Sequence, residues 1–183
     1  MRRTALILML LAASLAAGCA SKPTSLYTQF VDDESGESLA STIEPTRFVA
    51  DRPALSRVGK DYLYAAPVRV SGFDAPRTYL WFAVGSSIDR RITGAAVPDV
   101  SAIVLIVDDM PMTFDLVSWT EITASEPFDL DVEHYTSYGA RVTDSQLRRI
   151  AAASSLHALV ANEDNRSPAF AVTDSVHEAW AGL

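Results

Sequence analysis

The side chains that most often carry chemistry are few in this chain and stand far apart. Its three histidines are His134, His157 and His177. No two of them have ligand spacing on one element, and HExxH is absent, so neither a metal site nor an acid–base pair is expected from them. His134 follows Glu133 in an alternating run, which sends the two side chains to opposite faces of a strand. His157 lies between Leu156 and Ala158 and should face solvent or a polar rim. Asp108 and Asp109, with Asp115 nearby, offer carboxylate oxygens. Calcium, however, takes about six to eight oxygens from a loop of defined shape, and no DxDxDG run is present. These acids read as a polar turn, and Asp89-Arg90-Arg91 reads as a solvated charge group. Gly85-Ser86-Ser87 is the nearest approach to a nucleophile elbow and lacks the second glycine of GxSxG. No phosphate-cradling loop and no Rossmann glycine fingerprint occur. The expectation is a non-enzyme with no catalytic residue, no metal ligand and no cofactor.

One reactive group remains, the thiol of Cys19, the single cysteine. Arg2 and Arg3 open the chain, and Ala5 to Ala17 is apolar apart from Ser14. A basic start followed by such a run has the layout of a secretory signal. It is too short to span a bilayer, which takes about 20 residues. Ala16, Ala17 and Gly18 are small, as a signal peptidase needs, and Cys19 follows at once. The stretch Leu15-Ala16-Ala17-Gly18-Cys19 resembles the lipobox of bacterial lipoproteins, with Leu15 one step earlier than the family's usual leucine. The resemblance is confined to this N-terminal segment. It implies cleavage between Gly18 and Cys19, a diacylglyceryl group on the thiol, fatty acylation of the new amine, and membrane attachment through Cys19. Ala20 stands where an aspartate would signal inner-membrane retention, which implies the outer membrane, facing the periplasm of a Gram-negative cell. Each buried CH₂ contributes about 0.8 kcal/mol, so several acyl chains on one residue make a lasting anchor where a single chain would not.

The chain has 183 residues and a formal charge of −8. Cleavage would leave 13 of the 15 basic side chains against 23 acidic ones, a charge of −10. Such a surface is repelled by nucleic acid and by anionic headgroups, so nucleic acid is excluded as a partner. About 165 mature residues make a single domain the natural division. Residues 1–18 read as the signal peptide. Residues 19–43, rich in Ser, Thr and acids, read as the lipidated cysteine and a flexible tether. Residues 44–183 read as one β-rich domain.

Within that domain the pattern is mostly strand. Tyr62, Tyr64, Ala66, Val68 and Val70 share one face, and Pro67, which cannot donate to a ladder, places this strand at an edge. Thr78 to Val84 and Ala102 to Val107 are continuous apolar runs of the kind covered on both faces. A turn at Asp108 to Pro111 leads into an alternating Met112, Phe114 and Leu116, which predicts a hairpin. Ile103, Leu105 and Phe114 should be core. Phe128 to Glu133 alternates and reads as a strand with Phe128, Leu130 and Val132 inward. The period then changes. Thr143 and Gln146 match a capping box, and Leu147 and Ile150 follow at helical spacing. Leu156 to Ala161 and Pro168 to Thr173 return to strand. Asp174 or Ser175 could cap a short last helix with Val176, Ala179 and Trp180. The fold class is α+β: an antiparallel sheet or sandwich with one packed helix and a short C-terminal helix. Trp81, Trp119 and Trp180, with Phe82 and Phe114, are read as packing residues, though they could line an apolar pocket. The functional expectation is a lipid-anchored envelope module with a structural or protein-contact role. The alternative is a domain binding a small apolar or lipid ligand.

Overall fold

Apolar residues on both sides of a strand require cover on both sides, and that requirement organises this sheet. A computed structural model describes residues 27–32, 35–51, 59–72, 74–87, 100–132, 134–162, 169–173 and 177–183. Gly18, Cys19, Asp89 to Arg91, Glu133 and Asp174 to Val176 lie outside the described residues. The strands are β1 (Tyr27–Val31), β2 (Ser38–Thr42), β3 (Thr46–Asp51), β4 (Lys60–Ser71), β5 (Arg77–Ser86), β6 (Val100–Val107), β7 (Met110–Phe114), β8 (Val117–Ser118), β9 (Tyr135–Arg141), β10 (Leu156–Asn162) and β11 (Ala169–Val172). One α-helix, α1 (Asp144–Ala151), and 3-10 turns at Trp119–Glu121 and His177–Gly182 complete the described elements.

The strands form one antiparallel sheet in the order β7-β6-β10-β11-β3-β4-β5-β9-β8, with the β1–β2 hairpin added on β4. Between the expected sheet and sandwich, the hydrogen bonding makes a single sheet, and the sheet curls. Phe82 of β5 and Phe114 of β7 are not on neighbouring strands, yet their rings lie 5.6 Å apart across the interior. The inner cluster draws on β3 to β7, β10 and β11, and includes Leu63, Leu80, Ile103, Leu105, Leu156 and Phe170. Leu147 and Ile150 of α1 and Trp180 of the last 3-10 turn are buried in the same cluster. The capping box forms as the sequence predicts: Thr143 Oγ1 accepts from the Gln146 N–H, and Gln146 Oε1 accepts from the Thr143 N–H.

A second cluster covers the other face of the same strands. Tyr64, Ala66, Val68 and Val70 of β4 and Tyr79, Trp81 and Ala83 of β5 pack there against Leu39, Trp119, Phe128 and Val132. Both faces of β5 are therefore covered, which is why Thr78 to Val84 reads as an unbroken apolar run.

Three expectations are corrected here. The first concerns Pro67. Strand β4 is not an edge, because it has β5 on one side and both β3 and β2 on the other. The β3 ladder ends at Ala65 and the β2 ladder begins at Val68, so Pro67 falls in the gap where no donor is needed on that side. The second concerns the tether. Residues 27–31 and 38–42 are a paired hairpin of the sheet, Leu39 is fully buried, and the Tyr27 hydroxyl donates to the Ala179 carbonyl at 2.7 Å. The division at residue 43 therefore cuts through the fold. The third concerns residues 128–132. Phe128 and Val132 are buried as the alternation implies, but they belong to no strand. They lie in an irregular strap across the outer face. The outer strand in that part of the chain is β9, whose Ser, Tyr, Gly and Ala hide its pattern.

Candidate functional site: an open seam and a polar cleft

The residues singled out in the sequence do not converge as a group. His157 is exposed on β10, His134 is exposed at a bend before β9, and His177 is buried with Nε2 3.3 Å from the Ala153 carbonyl. Among the described residues no group of three or more His, Cys, Asp or Glu side chains is placed to hold a metal ion. Asp108 and Asp109 both take positive φ, 48° and 64°, and form the two-residue turn of the β6–β7 hairpin. The Asp108 carboxylate is already engaged: Oδ1 accepts from the backbone N–H groups of Ser154 and Ser155 at 2.9 and 3.0 Å. Asp115 stands beyond the far end of the five-residue β7, about 17 Å along the strand at the usual rise.

The strap over the outer face is fastened by two acids that sequence reasoning passed over. Asp32 is 1% exposed. It accepts hydroxyl bonds from Ser35 at 2.6 Å, Thr123 at 2.9 Å and Ser125 at 2.7 Å. Glu126 accepts from the Trp81 indole N–H at 3.0 Å and from the Ser137 hydroxyl. Trp119 adds an indole bond to the Ser125 carbonyl at 3.0 Å. The Trp81 and Trp119 indoles and the Thr123 and Ser125 hydroxyls thus all meet acceptors, which is what allows polar groups to lie over a dry sheet face. Gly139 admits this arrangement, since a Cβ there would meet the Trp119 ring at 3.0 Å. Burial raises the Tyr135 phenol above its ordinary pKa, with Glu126 and Asp129 adding to the effect.

Two concave regions of the described residues lie at the sheet ends and on the outer face. The first is a seam. Strands β7 and β8 stand at opposite ends of the sheet, yet only Asp115 and Leu116 separate them in sequence. Three peptide steps reach about 10 Å, so the two sheet ends must lie close together. They do not pair. A groove of about 540 Å³ separates them, with Thr113, Phe114 and Asp115 on one side and Tyr79, Gly139 and Arg141 on the other. Val142 donates to Thr78 of β5, so alternation turns the Arg141 backbone away from β5 and toward the groove. Strand β8 pairs with β9 only at Tyr138 and Gly139, which leaves Arg141 without a ladder partner on that side. On β7, the two-residue turn makes Val107–Met110 a bonded pair, so Pro111 and Thr113 face outward. Pro111 removes one donor from that edge, a common guard against unwanted strand pairing.

The second region is a polar cleft of about 370 Å³ on the outer face, beside β3 and β4. Tyr62 and Tyr64, two apart on one strand, stack with centroids 6.2 Å apart and planes 27° from parallel. With Val132 they make the apolar wall. Arg47 sits directly across the ladder from Tyr64, and with Asp131 and His134 it forms the rim. Burial raises the Tyr64 phenol above its ordinary pKa; Arg47 opposes the shift, while Tyr62 and Asp131 add to it. Ser86 and Ser87 line one end, so the fold does bring His134 near the Gly85-Ser86-Ser87 stretch. Both serines are tied to Lys60: the Ser87 hydroxyl accepts from its N–H at 2.9 Å, and the Ser86 hydroxyl donates to its carbonyl at 3.4 Å. Only the Tyr62/Tyr64 alternation signals this cleft in the sequence, and alternation signals core equally well. Comparison with protein-family models, with curated proteins and with solved structures finds nothing that matches this chain.

Proposed function

We propose that this chain is a lipid-anchored envelope lipoprotein whose domain works by contact with a partner protein rather than by catalysis. The observation that carries the proposal is the filled interior. Trp81, Trp119 and Trp180 are each fully buried, as are Phe48, Phe82 and Phe170. The aromatic side chains that could line an apolar pocket are used for packing. The concave regions described above open to solvent and carry charged residues, which disfavours the alternative of a small apolar or lipid ligand. The seam supports contact of a particular kind: an extended segment of a partner adds to the free edge at Arg141 by main-chain hydrogen bonds. In this reading the domain is a β-rich α+β fold with one packed helix and a short C-terminal helix, which the burial of Leu147, Ile150 and Trp180 supports.

The anchor rests on the Leu15 to Cys19 stretch, with Ala20 favouring the outer membrane and a periplasm-facing domain. No helix of the described residues is long and apolar enough to cross a membrane. The acidic balance disfavours nucleic acid as a partner.

One experiment tests both halves. A photo-crosslinking residue replaces Val117, which is 43% exposed beside the seam, in the native chain and in Cys19→Ser. The native chain is expected to pellet with washed membranes and to give a discrete adduct on illumination. Cys19→Ser is expected in the soluble fraction without the adduct. Unchanged pelleting of Cys19→Ser contradicts the anchor, and absence of any adduct from the native chain contradicts the contact.

A further inference from the structure

We propose that the cleft beside β3 and β4 is a carbohydrate-binding site that takes a neutral pyranose ring, stacked on Tyr62 and held at its hydroxyls by Arg47 and Asp131. The site is separate from the seam and does not depend on the lipid anchor.

Shape comes first. The half-buried Tyr62 supplies the ring of the wall, and the buried Tyr64 stacks with it, centroids 6.2 Å apart and planes 27° from parallel, which holds that ring in place. A pyranose has the matching form: an apolar C–H face of ring size, with hydroxyls around its edge. The volume of about 370 Å³ falls in the range of small-molecule sites, about 300 to 1,000 Å³. Because the cleft is open along one side, neighbouring units of a glycan chain can run on outside it.

Polar chemistry narrows the ligand. Among the described residues the Tyr62 phenol has no hydrogen-bond partner, so it is open to a ligand or water. Arg47 and Asp131 are both close enough to Tyr64 to act on its phenol, in opposite senses. Such a rim has no net preference for charge. A phosphate or carboxylate ligand would meet Asp131, and an amine would meet Arg47. A neutral polyol suits both, since a guanidinium and a carboxylate each present two parallel polar positions that fit a pair of adjacent hydroxyls. Arg47 is steadied for this role by a bond from its Nε to the Thr173 hydroxyl at 3.3 Å. A flat aromatic ligand would use the wall but offer the rim no hydroxyls to bond.

The test uses the full chain in lauryldimethylamine oxide micelles, a detergent without a sugar headgroup. It is titrated with triacetylchitotriose and with cellotriose, followed by calorimetry and saturation-transfer NMR. Saturable binding of at least one trisaccharide is expected, with transfer strongest at the ring C–H protons. Preference between the two separates an N-acetylated glycan from a plain one. Tyr62→Ala should weaken binding about ten-fold or more, Asp131→Asn should weaken it less, and Tyr62→Trp should retain it. All three should melt close to the native chain. Failure of both trisaccharides to bind overturns the proposal, as does an affinity that Tyr62→Ala leaves unchanged.

Discussion

The inner and outer faces of β4 and β5 come from the same strands by simple alternation, yet they are covered in different ways. Inside the curl, cover comes from other strands, from α1 and from Trp180, and the buried side chains are mostly apolar, with Thr46 and Asp61 as polar exceptions on β3 and β4. Outside, cover comes from an irregular strap fastened by two carboxylates, the buried Asp32 of the first hairpin and the half-buried Glu126, which accept hydroxyl and indole bonds. The inner face can be filled by any side chains of suitable volume. The outer face needs particular donors at particular acceptors, and where the strap ends, the cleft at Tyr62 and Tyr64 remains open. The difference separates stability from the recognition proposed above: the inside holds the sheet in its curl, and both proposed contacts lie on the outside and at the seam.

Substitutions can break this contrast, and the largest effect belongs to the inner face. Leu105 is fully buried, so Leu105→Ala should cost about 3 to 5 kcal/mol through lost transfer energy and the cavity left behind, read as a fall in the urea midpoint. A cost below 1 kcal/mol would mean that the interior collapses easily and is not close-packed.

Next comes the strap. Asp32→Ala removes the acceptor of three hydroxyls. The expected cost is about 2 to 3 kcal/mol, since hydrogen bonds to a charged acceptor contribute more than neutral ones and the Thr123 hydroxyl is left buried. Near-ultraviolet circular dichroism should lose the Trp81 and Trp119 contribution, because the strap packs on both indoles. An unchanged spectrum would detach Asp32 from the strap.

The cleft should matter least to stability. Tyr62 is only half-buried, and Tyr62→Ala should shift the unfolding free energy by about 1 kcal/mol or less, a surface-like cost. A loss as large as that of Leu105→Ala would make Tyr62 a core residue and weaken its role as a binding wall.

How much of this was legible depended on how local the cause was. The β6–β7 hairpin and the start of α1 are specified within a few residues of one another. Asp108-Asp109 tolerates the left-handed turn, and Thr143 and Gln146 satisfy each other. Ile103, Leu105 and Phe114 are buried, as expected of two apolar strands that flank a polar turn. The first hairpin was misread as tether because its edge strand β1 exposes Thr28 and Gln29, and because Asp32 is paired with hydroxyls 91 and 93 positions away. A buried carboxylate with distant partners looks, in sequence, like any solvated acid. Pro67 misled for a related reason, since a gap between two neighbours on one side of a strand leaves no local mark. The cleft draws Arg47, Tyr62 and Asp131 from three separate parts of the chain, and nothing short of the fold brings them together.

The central claim is that the apolar interior is filled by the protein's own side chains and that function lies on its outer surfaces. Titration of the unlipidated Cys19→Ser chain with the fluorescent fatty acid cis-parinaric acid, in buffer free of detergent, tests it most directly. A ligand that binds the native state must raise the melting temperature as its concentration exceeds Kd. The account predicts no stoichiometric complex and an unmoved melting temperature. A saturable one-to-one complex with a raised melting temperature would contradict it and restore the reading of an apolar ligand-binding domain.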